Sequence, residues 1–249
     1  MKRAIDPEVL ARHTGDRVAG NNLYRPWDID HIHASRKIHC VRETAGYLYG
    51  SYTPKRVRYA RGSRPELEWH VEVALKNARA RAARAAELLR HVHRVVLHTM
   101  YVPPELHELG GTEEHILRRG FGYCNESARV LVTLAQIAGL PARLLFVRLR
   151  SGNRHVMAEI LAGQKWGFFD PSFELCLPAG RNFASALDVQ RSKRLQERLD
   201  RLAAENRKYK ETLGKRGTPY SEYFHAFALL NYSLEEFSYG VVRPDGARK

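Results

Sequence analysis

The sequence predicts an α+β protein in which one central helix is followed by a small antiparallel sheet, with two long helices flanking it. Three observations predict this class. An apolar-periodic run begins at Cys124 (Val130, Leu131, Leu134, Ile137) and stops at Gly139, with Pro141 just beyond, as helices usually end. Three short strand-like runs come next, over 142–150, 155–161 and 166–169, joined by the turns Ser151-Gly152-Asn153 and Ala162-Gly163-Gln164-Lys165. Apolar seams at steps of three and four run on either side, from Glu66 to about Met100 and from about Ala184 to Leu213. A helix followed by an antiparallel meander is α+β architecture.

Along the chain, residues 1–65 form an N-terminal region. Tyr24 and Trp27 cluster there beside the turn residues Pro26 and Asp28. Ile38, Val41, Ala45 and Leu48 recur at helical spacing and predict a helix over 31–49. Tyr52 to Pro65 is basic and rich in turn formers, hence a loop. Residues 66–104 hold the first long helix, with the seam Val71, Leu75, Ala78, Ala82, Ala85, Leu89, Val92, Val96, and Pro103-Pro104 ends it. Residues 105–180 hold the compact helix-and-meander unit. Residues 181–249 hold the second long helix, with the seam Leu195, Leu199, Leu202, Asn206, Tyr209, Leu213, then an aromatic tail from Pro219 expected to cap the core as a helix. The four regions are read as one domain. The alanines of the first seam permit close approach, so the two long helices are expected to pack together, within one chain or across a homodimer, with Asn206 setting register.

A chain of 249 residues with 44% hydrophobic content can bury a full core. Its net charge of +14 suits an anionic partner: nucleic acid, an acidic protein or a phosphorylated carrier. Basic residues crowd Arg56, Arg58, Arg61, Arg64, Arg79, Arg81 and Arg84; a solvated basic face explains the same pattern equally well. Cys40, Cys124 and Cys176 cannot all pair, which leaves at least one free thiol and suits a reducing, cytoplasmic setting. Met1 to Pro7 is not followed by an apolar run, so neither a signal peptide nor a membrane span is expected. There is no P-loop, dinucleotide fingerprint or zinc-finger spacing, and no cofactor is expected. Asp28, Asp30, His31 and His33 are metal-ligating types, as are His91 and His93. On a helix the latter two point to different sides, and no metal is expected.

The segment Phe121-Gly122-Tyr123-Cys124-Asn125-Glu126-Ser127-Ala128 carries most of the chemistry. It places Cys124 at a helix start, where the dipole and backbone N–H groups favour a thiolate. His155 opens a strand 31 positions later, and Asp170 ends a strand 15 positions after that. A hairpin fits the second gap, so His155 and Asp170 can lie side by side. A thiol nucleophile needs a base, and the imidazole needs an acceptor on its other nitrogen. Taken singly, a helix-start Cys or a strand His is more often an ordinary buried group. The order and spacing together single them out. Cys40 and Cys176 lack such a context and read as ordinary buried thiols.

These residues resemble the transglutaminase-like superfamily of papain-like cysteine enzymes. The resemblance rests on Gly122-Tyr123-Cys124, on Gly139-Leu140-Pro141-Ala142-Arg143, on His155 with Glu159 four positions on, and on Trp166 to Asp170-Pro171-Ser172. It covers residues 115–175, roughly a quarter of the chain. It implies a papain-like core, Cys124 as nucleophile, His155 as general base and acid, and Asp170 as its orienter. It implies acyl transfer, or amide or thioester hydrolysis, through a Cys thioester. The acyl or peptide donor is left open, an acidic carrier protein bearing a phosphopantetheine thioester being one that suits the charge. It also implies oxyanion donors: the Cys124 N–H and an upstream side chain, for which His115 and Arg118 are candidates. Met157 departs from the aromatic residue often found two positions after the His, which leaves the channel lining open. A second reading keeps the fold without the chemistry, as a binding module that docks an acidic partner through its basic helices.

Overall fold

In the computed structural model the described residues are 5–15, 36–212, 217–232 and 241–242. The centre is a six-stranded antiparallel sheet in the order Ile38–His39, Ala226–Leu230, Ala142–Arg148, Arg154–Leu161, Trp166–Asp170, Leu175–Cys176. The three strands of the meander follow the predicted boundaries closely. Side chains alternate across a strand, so each strand feeds two cores. Val156, Ala158 and Ile160 enter one core with the Cys124–Ile137 helix, while Met157, Leu145 and Phe168 enter the other. The fold is α+β, with helices on both faces of the sheet.

The first long helix is two. Pro65–Leu75 and Arg81–Val95 are separated by a turn at 76–80, and both pack on the Cys124–Ile137 helix. A single rod over 66–100 would run about 50 Å at 1.5 Å per residue. Folding it back lets Leu67 and Val71 share one core with Leu88, Leu89 and Val92. The second helix also ends before Met100. Val95 and Val96, β-branched, lead into a short strand, Leu97–His98, that pairs in parallel with Phe121–Gly122.

The expected helix over 184–213 is three pieces: Ala186–Arg191, Lys193–Glu205 and Arg207–Glu211. Ser185, Ser192 and Asn206 cap their starts, accepting from the N–H groups of Asp188, Leu195 and Tyr209. Asn206 therefore interrupts the seam rather than setting a register in it, and its Nδ2 donates to Phe173 O at 2.6 Å. Leu199 and Ala203 bury in the second core, on the far sheet face from Leu88 and Val92. Within the chain the two helical regions thus bury into different cores, and they touch where Lys208 Nζ donates to His93 Nε2.

Two further expectations change. Of the region over 31–49, residues 31–35 lie outside the described residues; Arg42–Gly50 is a helix, but Ile38 and His39 instead pair with Leu229 and Ala228 at the sheet edge. The tail from Pro219 is a 3-10 turn, Tyr220–His225, followed by a strand, Ala226–Leu230, inserted between Ile38–His39 and Ala142–Arg148. The apolar run Phe227-Ala228-Leu229-Leu230 is buried throughout, as an interior strand requires. Tyr52 to Arg64 is the predicted loop.

A fully buried ion pair ties the meander together. Arg143 donates to Glu159 Oε2 through Nε at 3.0 Å and Nη2 at 2.6 Å. Glu159 Oε1 accepts from Tyr49 Oη and the Ala186 N–H. The Arg143 guanidinium lies 4.1 Å over the Trp166 ring. Among the described residues no helix is long and apolar enough to cross a membrane.

Candidate active site

Cys124 is the first residue of its helix, after Tyr123 in extended conformation. The buried Glu126 fixes this start. Its Oε2 accepts the Tyr123 N–H at 2.9 Å, and its Oε1 accepts the Gly110 N–H and pairs with Arg119 at 2.6 Å. Gly122 leaves room for this carboxylate, since a Cβ there would crowd it, at 3.1 Å from Glu126 Cβ and 3.2 Å from Oε2.

The sheet brings His155 and Asp170 together. Ala158 pairs with Phe169, and one step further along that register Asp170 stands level with Met157. His155 is then its diagonal neighbour on the same face, within reach of long side chains. His155 Nε2 donates to Asp170 Oδ2 at 2.7 Å. That leaves Nδ1 as the ring nitrogen for the thiol, and the Cys124 side chain is hydrogen-bonded to His155. The three residues singled out in the sequence therefore meet.

Their ionisation follows from this contact. Burial pushes the Cys124 thiol up, but hydrogen bonds to His155 and His98 and the charges of both rings outweigh it, giving a pKa of about 6. Burial pushes His155 down, but the Asp170 carboxylate and the Cys124 sulfur outweigh it, giving about 10. Between these values the pair is a thiolate beside an imidazolium. Cys40 and Cys176 are pushed up to about 12, chiefly by burial.

Asp170 is fully buried and satisfied on both oxygens. Oδ1 accepts the Ser172 N–H at 2.9 Å, and Oδ2 accepts the Tyr220 hydroxyl at 2.5 Å as well as His155. These bonds and the His155 charge hold the carboxyl below its ordinary range against the cost of burial. Tyr223 and Phe173 pack against the imidazole, with ring centroids at 5.4 Å and 5.8 Å. His93 holds the following turn: its Nδ1 donates to Pro171 O at 2.7 Å while its Nε2 accepts from Lys208 at 2.8 Å.

Sequence reasoning missed Tyr220 and His98. Tyr220 lies 50 positions from Asp170 in an aromatic-rich tail, with no local sign of its role. His98 stood inside a helix too long by five residues; the β-branched pair Val95-Val96 was the available signal. Of the candidates for the upstream donor, Arg118 is engaged elsewhere, while His115 Nε2 is buried without a hydrogen-bond partner among the described residues. His115 Nε2 lies 3.5 Å from Glu108, and Arg118 donates to Glu66. Met157 is fully buried in the second core and lines no open channel.

Among the described residues no group of three or more His, Cys, Asp and Glu side chains is arranged to hold a metal. His91 Nε2 meets His70 Nδ1 at 2.9 Å while His93 faces Pro171 and Lys208, so the two rings do point apart. Asp28, Asp30, His31 and His33 lie outside the described residues. A cleft of about 660 Å³ lies between Arg56, Arg58 and Tyr59 on one side and Gln136, Pro141 and Asn231 on the other. Gln136 is near the C-terminal end of the Cys124 helix, about 18 Å along its axis from the thiol, so this cleft is separate from the triad.

Residues 71–171 match the family model of the transglutaminase-like superfamily, an interval that contains Cys124, His155 and Asp170. No curated protein matches the chain. Two solved structures are similar at low identity. One, from Cytophaga hutchinsonii, is described as a candidate cysteine protease; it is 12% identical at a TM-score of 0.37 over 53% of this chain and 43% of its own. The other, described as a TGase, is 11% identical at a TM-score of 0.38 over 55% of this chain and 44% of its own. The chain thus covers less than half the length of either. The similarity to the transglutaminase-like superfamily is thus to residues 71–171, about two fifths of the chain.

Proposed function

We propose that this chain is a cysteine-dependent acyl-transfer enzyme, with Cys124 as nucleophile, His155 as general base and acid, and Asp170 as the residue that orients His155. The observation that carries this reading is the continuous chain of contacts from a helix-start thiol to an imidazole whose far nitrogen is bonded to a buried carboxylate. The thiolate adds to the carbonyl carbon of an amide, peptide or thioester. The resulting tetrahedral intermediate collapses to a Cys124 thioester as the His155 imidazolium gives its proton to the leaving group. The neutral imidazole then takes a proton from water or an amine, which attacks the thioester and frees the thiol. Asp170 holds the tautomer that keeps Nδ1 toward the sulfur and stabilises the imidazolium.

Hydrolase and transferase share these steps and differ in the second nucleophile. The basic loop favours an anionic donor or acceptor, such as an acidic carrier protein bearing the acyl group as a thioester. Arg56 and Arg58 are exposed at the mouth of the cleft. Nucleic acid is the competing partner. Among the described basic positions Arg64 has a structural task, since it pairs with Glu113 at 2.8 Å and with Glu114.

The test is intact-mass analysis after incubation with small thioesters and p-nitrophenyl esters. The parent is expected to gain an acyl mass that maps to Cys124 and is lost on further incubation. Cys124→Ala is expected to gain none and to keep its far-UV circular dichroism. Turnover by a clean Cys124→Ala preparation, or no adduct on the parent, would overturn the reading in favour of a non-catalytic docking module.

A further inference from the structure

Beside the candidate site stands a cation whose charge the protein does not neutralise. Lys208 lies on the short helix Arg207–Glu211 and is partly buried. Its Nζ donates to His93 Nε2 at 2.8 Å and stands 5.9 Å from the centre of the Tyr101 ring. These two neighbours tie it to both sides of the triad. His93 Nδ1 donates to Pro171 O at 2.7 Å, directly after Asp170. Tyr101 ends the 3-10 turn that follows Leu97–His98, and that strand pairs with Phe121–Gly122 just before Cys124. The His98 and Tyr123 rings meet edge to face at 6.4 Å, which holds this segment against the helix start. Lys208 therefore bridges the segment beside the nucleophile and the turn beside the carboxylate.

His93 satisfies one N–H of the ammonium but not its charge. Its proton is on Nδ1, where it is donated to Pro171 O, so Nε2 has none and the imidazole is a neutral acceptor. Glu174, in the same turn, lies 3.9 Å from His93 Nε2 with its side chain 40% exposed, and among the described residues no carboxylate forms an ion pair with Lys208. Arg119, Arg129 and Arg143, buried elsewhere, each pair with a glutamate. Burial pushes the Lys208 ammonium below its ordinary pKa, against the pull of Glu174. A cation held partly out of water without a partner is costly, and a ligand carboxylate placed there would offset that cost. Apolar surface adjoins it: Met100 and Tyr101 are 45% and 38% exposed.

We infer that Lys208 is a specificity-determining residue that receives a carboxylate carried on the acyl part of the substrate, with Met100 and Tyr101 beside the apolar chain linking that carboxylate to the scissile carbonyl. This rests on the acyl-transfer reading above and names the class of acyl group that reading leaves open. The ammonium is a compact point charge with donors to spare, which suits a terminal carboxylate. The same group serves the scaffold through His93, so the test must separate recognition from support of the turn.

The probes are the mono-p-nitrophenyl ester of adipic acid and p-nitrophenyl hexanoate. They share chain length and leaving group and differ by one carboxylate. The quantity read is the ratio of their kcat/KM values. Lys208→Met is expected to lower this ratio, adipate over hexanoate, about tenfold, the weight of one hydrogen bond to a charged group at a partly exposed position. Lys208→Arg, which keeps the cation, is expected to retain more of the ratio than Lys208→Met. If the Met variant fails to fold, Lys208→Gln carries the same comparison. A role confined to the turn would slow both esters alike and leave the ratio at its parental value; that result would overturn the inference. No acylation of Cys124 by either ester in the parent would overturn the acyl-transfer reading and the inference with it, an outcome distinguishable because the parent alone reveals it.

Discussion

The Tyr220 hydroxyl donates to Asp170 Oδ2 at 2.5 Å, so a residue of the C-terminal segment completes the shell of the carboxylate behind His155. The turn that carries Tyr220 is itself anchored, because Asp200 accepts both the N–H and the hydroxyl of Ser221. A path of direct bonds therefore runs from the Lys193–Glu205 helix through Ser221 and Tyr220 to Asp170 and His155. The flanking helices position the site as well as cover the sheet.

Tyr220→Phe removes one donor from a buried carboxylate. Stability is expected to fall by about 1.5–3 kcal/mol, the range for hydrogen bonds to charged groups, and turnover to fall with it. Asp170→Asn is expected to cost more, about 10²–10⁴ in kcat, through loss of the correct tautomer. Urea unfolding and steady-state kinetics check both. Parental turnover in Asp170→Asn would show that another acceptor orients His155.

The pH dependence has a definite sign. The Cys124 pKa is lowered, so the reactive thiolate is lost as pH falls through about 6 and persists above it. The His155 pKa is raised, so the imidazolium, the proposed proton donor to the leaving group, is lost as pH rises through about 10. Alkylation of Cys124 is expected to rise with a midpoint near 6, while Cys40 and Cys176 stay unreactive at neutral pH. Replacing His155 by Ala should move the midpoint up toward an ordinary thiol. Peptide-mapped iodoacetamide kinetics from pH 4 to 10 measure this; reactivity that appears only above pH 8 would contradict the ion pair.

Glu159→Gln leaves the Arg143 guanidinium buried without its counter-charge. Breaking such a pair costs about 3–5 kcal/mol, and the midpoint of chemical unfolding is expected to fall accordingly. The midpoint of Cys124 alkylation should not move in the folded variant, because the pair acts on the scaffold. A shift in that midpoint would show that the pair also sets the charge state of the thiol.

Charge reversal at Arg56, Arg58 and Arg61 tests the anionic partner. These side chains are exposed, and Arg61 has one long contact to Glu72 at 3.6 Å. Apparent affinity for an acidic carrier should drop in the variant, and in the parent on going from low to physiological salt, with kcat at saturation nearly constant. The Cys124 alkylation rate should not change. A salt-independent KM would return this charge to a solvated surface.

The sequence by itself determined what is local or periodic. The meander was legible because alternation and Gly turns are properties of adjacent residues. Cys124, His155 and Asp170 were legible because their flanking residues, order and spacing form one pattern. Tertiary structure decided the rest. An apolar seam is the same whether its helix is one rod or two folded halves, so the breaks at 76–80 and at Asn206 depended on which core each half could bury. The tail showed many aromatics but not that Ala226–Leu230 enters the sheet, since strand partners are chosen across long sequence gaps. His98 and Tyr220 touch Cys124 and Asp170 only because strand pairing and packing bring distant segments together. No periodicity in one dimension encodes such a contact.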